Sequence, residues 1–196
     1  MTPDQRLVRG ARSRKAITRH AVDVASVTGL NGLSLGKLAD DLGLSKSGVA
    51  ALFRTKEQLQ LATVETAREA FLDAVVRPAS DAPPGVTRLR VLIERWISYA
   101  EQPLFPGGCF WAANLPEFDS RPGPIRDALR RQHQAWLALL ADEVRHATDA
   151  GEITDPDPDL AAFRIGAVLT AANIAMRLDE PDVANKVRRL LEDFLG

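Results

Sequence analysis

The chain has 196 residues, of which 45% are hydrophobic and 26% are charged, and it contains a single cysteine. These values exclude a disordered chain and an internal disulfide, and they fit one domain of ordinary size or two small domains that share a core. We find no run of about eighteen apolar residues and no apolar signal segment near the amino terminus, so we expect no membrane partner and a cytoplasmic protein.

Charge is distributed unevenly along the chain. Residues 1–60 hold ten Lys and Arg against five Asp and Glu, a net charge near +5, whereas the remaining residues hold 15 against 21, near −6. Such asymmetry is typical of a polyanion-binding end joined to an end that avoids polyanions. Five of the ten basic residues lie between Arg6 and Lys15, including Arg12 and Arg14, where no apolar periodicity requires a packed helix. We therefore expect a mobile basic arm that follows DNA phosphates or enters a minor groove.

Residues 34–53, SLGKLADDLGLSKSGVAALF, are typical of two short helices joined by a tight turn, the layout of a DNA-binding helix-turn-helix. Ser34 and Ser45 are each suited to cap one helix, and Gly43 is suited to end the first. The exposed positions carry small and basic residues that can approach a groove or hold phosphates. These positions are Lys37, Lys46, Ser47, Gly48, Ala50 and Ala51. An ordinary helical hairpin is the alternative, because a short amphipathic pair is not a specific signal.

A positional pattern extends over residues 12–60. It consists of Ile17, Ala21, Val24, Gly29, Ser34, Leu38, Ala39, Gly43, Ser45, Phe53 and the Lys56-Glu57 opening of a long fourth helix. This pattern resembles the amino-terminal domain of TetR-family transcriptional regulators. The resemblance implies that Ser34 and Lys56 hold DNA phosphates and that the third helix enters the major groove. The chain departs from the family pattern at Ala50 and Ala51, where members usually carry a tyrosine and often a second aromatic residue or histidine. One expected phosphate contact is therefore missing, and Lys46 and the arm are expected to compensate.

Helical periodicity continues to the end of the chain without a convincing strand. We predict an all-α fold of about nine helices. A helix-turn-helix domain with its basic arm occupies residues 1–58, and a helical bundle occupies residues 59–196. In the resembled family such a bundle binds a small-molecule effector and forms the dimer.

Large aromatic side chains concentrate between residues 96 and 136, around Cys109. So many rings near a Gly-Gly break favour a pocket, although any single ring is more often plain core. The predicted effector-binding residues are Trp96, Tyr99, Phe105, Cys109, Phe110, Trp111, Phe118, Trp136, Asn173 and Met176. The segment PGGCFWAANLPEF also resembles the effector domains of a TetR-like subgroup, with Glu117 as the following acidic residue. Cys109 is either a redox switch or a small buried hydrophobe.

The last two predicted helices are suited to a homodimer interface. The penultimate helix presents small and apolar residues on more than one face between Ala161 and Met176, and the last carries one apolar stripe from Val183 to Phe194. Meeting their symmetry mates, they would bury a four-helix interface and place two recognition helices roughly 34 Å apart. A monomer with a thick core is the alternative.

No pattern indicates catalysis. Asp155, Asp157 and Asp159 lack the glycine and glutamate of a calcium loop, the three histidines are isolated, and no phosphate loop or nucleophile elbow occurs. We therefore predict no metal, no cofactor and no enzyme activity.

The sequence as a whole predicts a one-component, ligand-responsive repressor. We expect it to bind a palindromic operator as a dimer and to be released by an effector, with the fourth helix carrying the change to the recognition helix. An activator would have the same sequence features. The alternative from another class is an all-helical ligand-binding protein or enzyme that does not act on operator DNA.

Overall fold

The computed structural model describes residues 3–154 and 157–195, without the side chains of residues 3–7, 9, 193 and 194. Predictions that involve Asp155 and the side chains of Arg6, Arg9 and Phe194 lie outside this description. The described residues form nine α-helices and no strand, which confirms the all-α prediction. The helices are α1 (Pro3–Thr28), α2 (Leu35–Asp41), α3 (Lys46–Leu52), α4 (Lys56–Phe71), α5 (Val86–Glu101), α6 (Phe110–Phe118), α7 (Pro124–Asp149), α8 (Pro158–Arg177) and α9 (Val183–Leu195). A 3-10 turn follows α1 at Leu30–Gly32, and a π-helical turn follows α4 at Leu72–Val76.

The basic amino-terminal segment is helical, since α1 is continuous from Pro3, and its mobility as an arm stays a prediction. Arg12, Arg14 and Lys15 therefore lie on a helix. The segment lacks an apolar stripe, but it is rich in Arg, Lys, Gln and Ala, which have high helix propensity, and it extends a helix that is already packed from Ile17 onward. Adding residues to an existing helix avoids the cost of nucleation, and Pro3 suits the first helical turn.

The chain divides into two compact units by packing. The first unit comprises Met1–Glu69 and Phe105–Leu129, and the second comprises Ala70–Leu104 and Arg130–Gly196. The predicted boundary after residue 58 divides the chain by function and stays a prediction.

In the first unit α1 packs against both α2 and α6. Its buried face includes Ile17, Ala21 and Ala25, none of which is exposed. The loop before α6 approaches the backbone of α1 closely, since Gly107 N donates to Ser26 Oγ over 2.9 Å. A Cβ at Gly107 would lie 1.9 Å from the Ser26 carbonyl oxygen, so only glycine fits there.

In the second unit α8 and α9 pack on α5. Glu143, with a side chain only 3% exposed, accepts from Gly85 N at 2.9 Å and from Arg88 at 3.2 Å, and thereby holds the start of α5. Glu94 on α5 binds Arg188 on α9 at 2.9 Å, and this hydrogen bond raises the pKa of Arg188. The buried Glu143 pair holds the start of α5, whereas the Glu94–Arg188 pair joins α5 to α9 at a largely exposed position.

Helix α8 is the one described helix that is long and apolar enough to cross a membrane, with a mean hydropathy of 1.3 over a window that is 33% buried. The sequence still has no run of about eighteen apolar residues here, because Arg164, Thr170 and Asn173 interrupt α8. Length and composition alone are weak evidence, because packed helices of water-soluble proteins meet the same criterion. Several of the apolar residues responsible, among them Leu160, Phe163 and Ile174, are exposed.

Substituting Gly107 with alanine tests the close approach to α1. We expect Gly107→Ala to lower the free energy of unfolding by roughly 1–3 kcal/mol or more, because the new methyl group meets backbone atoms that cannot move aside. The control is Gly36→Ala within α2, where the added Cβ would lie 3.8 Å from its nearest heavy atom. Because alanine has the higher helix propensity, this change should leave the free energy of unfolding unchanged or raise it by up to about 1 kcal/mol. Urea unfolding measures both, and equal stability of the two variants would contradict the packing.

Candidate nucleic-acid interface

Each helix of the helix-turn-helix begins at a serine cap. Ser34 Oγ accepts a hydrogen bond from Lys37 N at 3.4 Å, and Ser45 Oγ accepts one from Gly48 N at 3.1 Å. Each hydroxyl satisfies an amide that has no partner within its own helix. Since an accepting hydroxyl keeps its own proton, both serines can still donate to a phosphate oxygen. The two predicted caps are confirmed.

The turn between α2 and α3 is a Schellman motif. Gly43, with φ +63°, donates its amide to Asp40 O at 3.2 Å, and Leu44 N reaches back to Ala39 O at 2.8 Å. Glycine adopts this left-handed conformation without steric cost. Only four residues, 42–45, therefore separate α2 from α3.

The apolar face of the two helices is buried and the opposite face is open. Leu38, Val49 and Phe53 are at most 1% exposed. The exposed residues are Lys37, Lys46, Ser47, Gly48, Ala50 and Ala51, as predicted from the spacing. Because most of these side chains are small, the backbone of α3 can approach the floor of a major groove.

The ammonium groups of Lys46 and Lys56 are able to bind a phosphate. Lys46 Nζ lies 3.3 Å from Asp40 Oδ2, but both side chains are more than half exposed, so this ion pair is weak and open to competition. Lys56 Nζ donates to Asn31 O at 2.5 Å. An ammonium has three N–H donors, and two remain for a phosphate.

Arg14 has a partner within the protein that the sequence did not suggest. Its Nη1 donates to Leu52 O at 2.8 Å, at the carboxyl end of α3, and its guanidinium lies 4.5 Å from the centre of the Phe53 ring. Helix α3 has no basic residue in its own last turn. Arg14 supplies a positive charge there from α1, which is favourable at the negative end of the helix dipole. Its role as a phosphate contact stays a prediction.

Sequence reasoning also missed Gln60 and Asn114. Both side chains are buried and bond to the backbone of Leu30. The available signal was an amide side chain within a mostly apolar helix segment, which does not reveal a partner 84 residues away.

The predicted effector-binding residues are divided between the two packing units. Phe105, Cys109, Phe110, Trp111 and Phe118 belong to the first unit, and Trp96, Tyr99, Trp136, Asn173 and Met176 belong to the second. Most of these side chains are buried, including Cys109 at 6% exposure, which favours its interpretation as a small hydrophobe. The effector site itself stays a prediction.

Phe71 completes an aromatic cluster in the second unit. Its ring meets Tyr99 and Trp136 edge to face, with centroids 5.5 and 5.3 Å apart. An open cavity of about 550 Å³ lies elsewhere in this unit, between the end of α5 and the α8–α9 turn, and includes Met176 among its lining residues.

Among residues 3–154 and 157–195 no cluster of three metal-ligating side chains occurs.

A capped helix-turn-helix followed by a helical bundle is the architecture of a DNA-binding regulator. Residues 85–191 match the family described as "Tetracyclin repressor-like, C-terminal domain". Because this match covers more than half of the chain, the chain belongs to the TetR family of transcriptional regulators, which are DNA-binding proteins and generally not enzymes. A comparison with curated proteins finds no match.

Solved structures show the same fold over nearly the whole chain. A TetR transcriptional regulator from Chloroflexus aurantiacus is 24% identical, covers 95% of this chain and 94% of its own, and superimposes with a TM-score of 0.84. One from Cytophaga hutchinsonii is 22% identical with the same coverage and a TM-score of 0.81. AibR, solved with isovaleryl coenzyme A and operator DNA, is 20% identical, covers 88% and 94%, and has a TM-score of 0.73.

Replacing Arg14 tests whether it supports α3. We expect Arg14→Gln to lower the free energy of unfolding by about 1 kcal/mol, because the carbonyl of Leu52 and the Phe53 ring lose their cation. Arg12→Gln, an exposed change on the same helix, should remain within about 0.5 kcal/mol of the wild type. Urea denaturation followed by circular dichroism measures both variants, and an Arg14 variant as stable as the Arg12 variant would argue against the support.

Proposed function

We propose that this protein is a one-component transcriptional repressor that binds a palindromic operator as a homodimer in the cytoplasm and is released by a small-molecule effector. The observation that carries the proposal is the open face of α3. It presents small residues and Lys46 to solvent, while serine caps and a buried apolar face fix the helix in place. The excess of basic residues in 1–60 supplies the attraction to phosphates that DNA binding requires.

DNA recognition divides between two groups of residues. Those suited to phosphates are Arg12, Arg14, Ser34, Lys37, Ser45 and Lys56. Those suited to the groove are Lys46, Ser47, Gly48, Ala50 and Ala51. The alanines can contact a thymine methyl group and cannot make hydrogen bonds to base edges, so Lys46 and Ser47 are the side chains that can read base edges directly.

The homodimer proposal is supported by an apolar stripe that α8 leaves exposed. Leu160, Phe163, Ile174 and Leu178 lie within a sector of about 60° on the helix surface, at 36% exposure or more. Leu178 reaches 69% and Phe163 reaches 64%. An exposed apolar stripe of this length is typical of a protein interface, and a second copy of α8 and α9 would cover it.

The chemistry of the effector does not follow from the relatives. AibR was solved with isovaleryl coenzyme A, and a regulator from Saccharomonospora viridis was solved with choline. These two ligands differ in size and charge. In this chain the cluster of Tyr99, Trp136 and Phe71 supports an effector with an apolar or cationic group, since aromatic faces bind both.

A mobility-shift assay tests DNA binding. The probe is the duplex upstream of the protein's own reading frame, compared with a scrambled duplex of equal composition at 50 and 200 mM salt. We expect preference for the natural duplex, weakening with salt. For Lys46→Ala we expect a loss of affinity that is greater on the natural duplex than on the scrambled one, because this side chain is proposed to read base edges. Arg130→Ala on α7 also removes one positive charge, at an exposed position outside the helix-turn-helix and outside α8 and α9, and should bind like the wild type. Binding without sequence preference would favour the alternative function, an all-helical ligand-binding protein or enzyme that does not act on operator DNA.

Sedimentation tests the homodimer. We expect the wild type to be a dimer at micromolar concentration and Phe163→Glu to be a monomer, because a carboxylate would be buried in the interface without a partner. Val27→Glu is the matched control, since Val27 on α1 is 63% exposed and lies on neither α8 nor α9. A wild type that sediments as a monomer would contradict the proposal.

A further inference from the structure

The turn that joins α1 to α2 is held at every backbone polar group of Leu30 and Asn31. Two side chains of α6 accept from the two amides, and two side chains of α4 donate to the two carbonyls. All of these residues belong to the first packing unit. Leu30 O also accepts from Leu33 N at 3.3 Å within the 3-10 turn. Because the side-chain bonds come from α4 and α6, the position of the turn depends on both helices.

Asn114 is the buried member of the α6 pair. Its Oδ1 accepts from Leu30 N at 2.7 Å, while its Nδ2 donates to Phe110 O at 2.8 Å and to Ala25 O at 3.3 Å. Asn114 and the Leu30 side chain are both fully buried. Loss of this amide would leave the Leu30 amide without a partner and without access to water, which is costly.

Glu117 is the second member, one turn further along α6. Its carboxylate accepts from Asn31 N at 3.3 and 3.4 Å. The same carboxylate lies over Gly29, where an added Cβ would be 2.6 Å from Oε2 and where φ is +73°. The left-handed backbone favours glycine there, and a side chain at this position would displace the Glu117 carboxylate, so the carboxylate and the turn fit each other.

The α4 pair completes the arrangement. Lys56 donates to Asn31 O at 2.5 Å and Gln60 donates to Leu30 O at 2.9 Å. Four residues apart, they lie on one face of α4. Lys56 is also the residue proposed to hold a DNA phosphate, and its ammonium is oriented by the carbonyl of Asn31.

We propose that Asn114 and Glu117 are positioning residues for DNA binding. By holding the amides of Leu30 and Asn31, they set where the Asn31 carbonyl lies and therefore where Lys56 presents its ammonium. Helix α6 lies within residues 85–191, the part of the chain that matches the family's carboxy-terminal domain, so these two side chains connect that domain's sequence to the DNA-binding residues. The inference rests on the proposed DNA-binding function.

The test measures operator affinity and salt slope for Glu117→Ala, with Asp119→Ala as the matched control. Both changes remove one carboxylate near the end of α6, but Asp119 is exposed and its side chain does not hold the turn. We expect Glu117→Ala to bind the upstream duplex about three- to tenfold more weakly than the wild type does. Asp119→Ala should bind it with the affinity of the wild type. Glu117→Gln keeps an accepting oxygen and should bind like the wild type. Unfolding curves check that all three variants are folded.

The Lys56→Ala background separates positioning from a general effect on the fold. If Glu117 acts through Lys56, Glu117→Ala should cause little further loss in a protein that already carries Lys56→Ala, because the two effects are not additive. Full additivity, or wild-type binding by Glu117→Ala, would overturn the inference while leaving the proposed function intact. A wild type without sequence preference would overturn both. Amide exchange at Asn31 should quicken in Glu117→Ala, and an unchanged rate would contradict the contact itself.

Discussion

The structure depends on the hydrogen bonding of one short turn. Leaving α1 and entering α2, the chain must satisfy the amides and carbonyls of Leu30 and Asn31 while the Leu30 side chain is fully buried. Buried backbone groups without partners are costly, and the 3-10 turn itself supplies one bond here, from Leu33 N to Leu30 O at 3.3 Å. Side chains from α4 and α6 supply further partners. The arrangement of the helix-turn-helix on its supporting helices therefore depends on residues far away in sequence.

Helix α3, the proposed recognition helix, is short and carries mostly small side chains on its exposed face. Seven residues cannot hold a helix by propensity alone, so the Ser45 cap, the buried Val49 and Arg14 at its carboxyl end stabilise it from outside. Ala50 and Ala51 make a close approach to DNA possible but offer no hydrogen bonds to it. Affinity then depends on the lysines around the helix and on the serines that cap α2 and α3. Such residues contact phosphates, and phosphate contacts position a protein on DNA more than they read its sequence.

Features determined by neighbouring residues could be predicted from the sequence, and features determined by distant ones could not. The caps at Ser34 and Ser45 and the turn at Gly43 follow from local geometry, and the structure confirms them. The amino-terminal segment lacks an apolar stripe, so the sequence does not predict a packed helix there, yet the helix packed from Ile17 onward extends through it. Asn114 could not be assigned, because its partner Leu30 is 84 residues away. The aromatic residues around Cys109 were grouped by proximity in sequence, and packing divides them between two units.

The most direct test of the central claim is a hydroxyl-radical footprint of the wild-type protein on the duplex upstream of its own reading frame. A dimer that presents two copies of α3 predicts two protected segments with related sequences, centred about one helical turn, roughly 10 base pairs, or a multiple of it apart. Protection should vanish as salt is raised, because phosphate contacts carry much of the affinity. Uniform protection, a single protected segment or no protection at all would contradict the account.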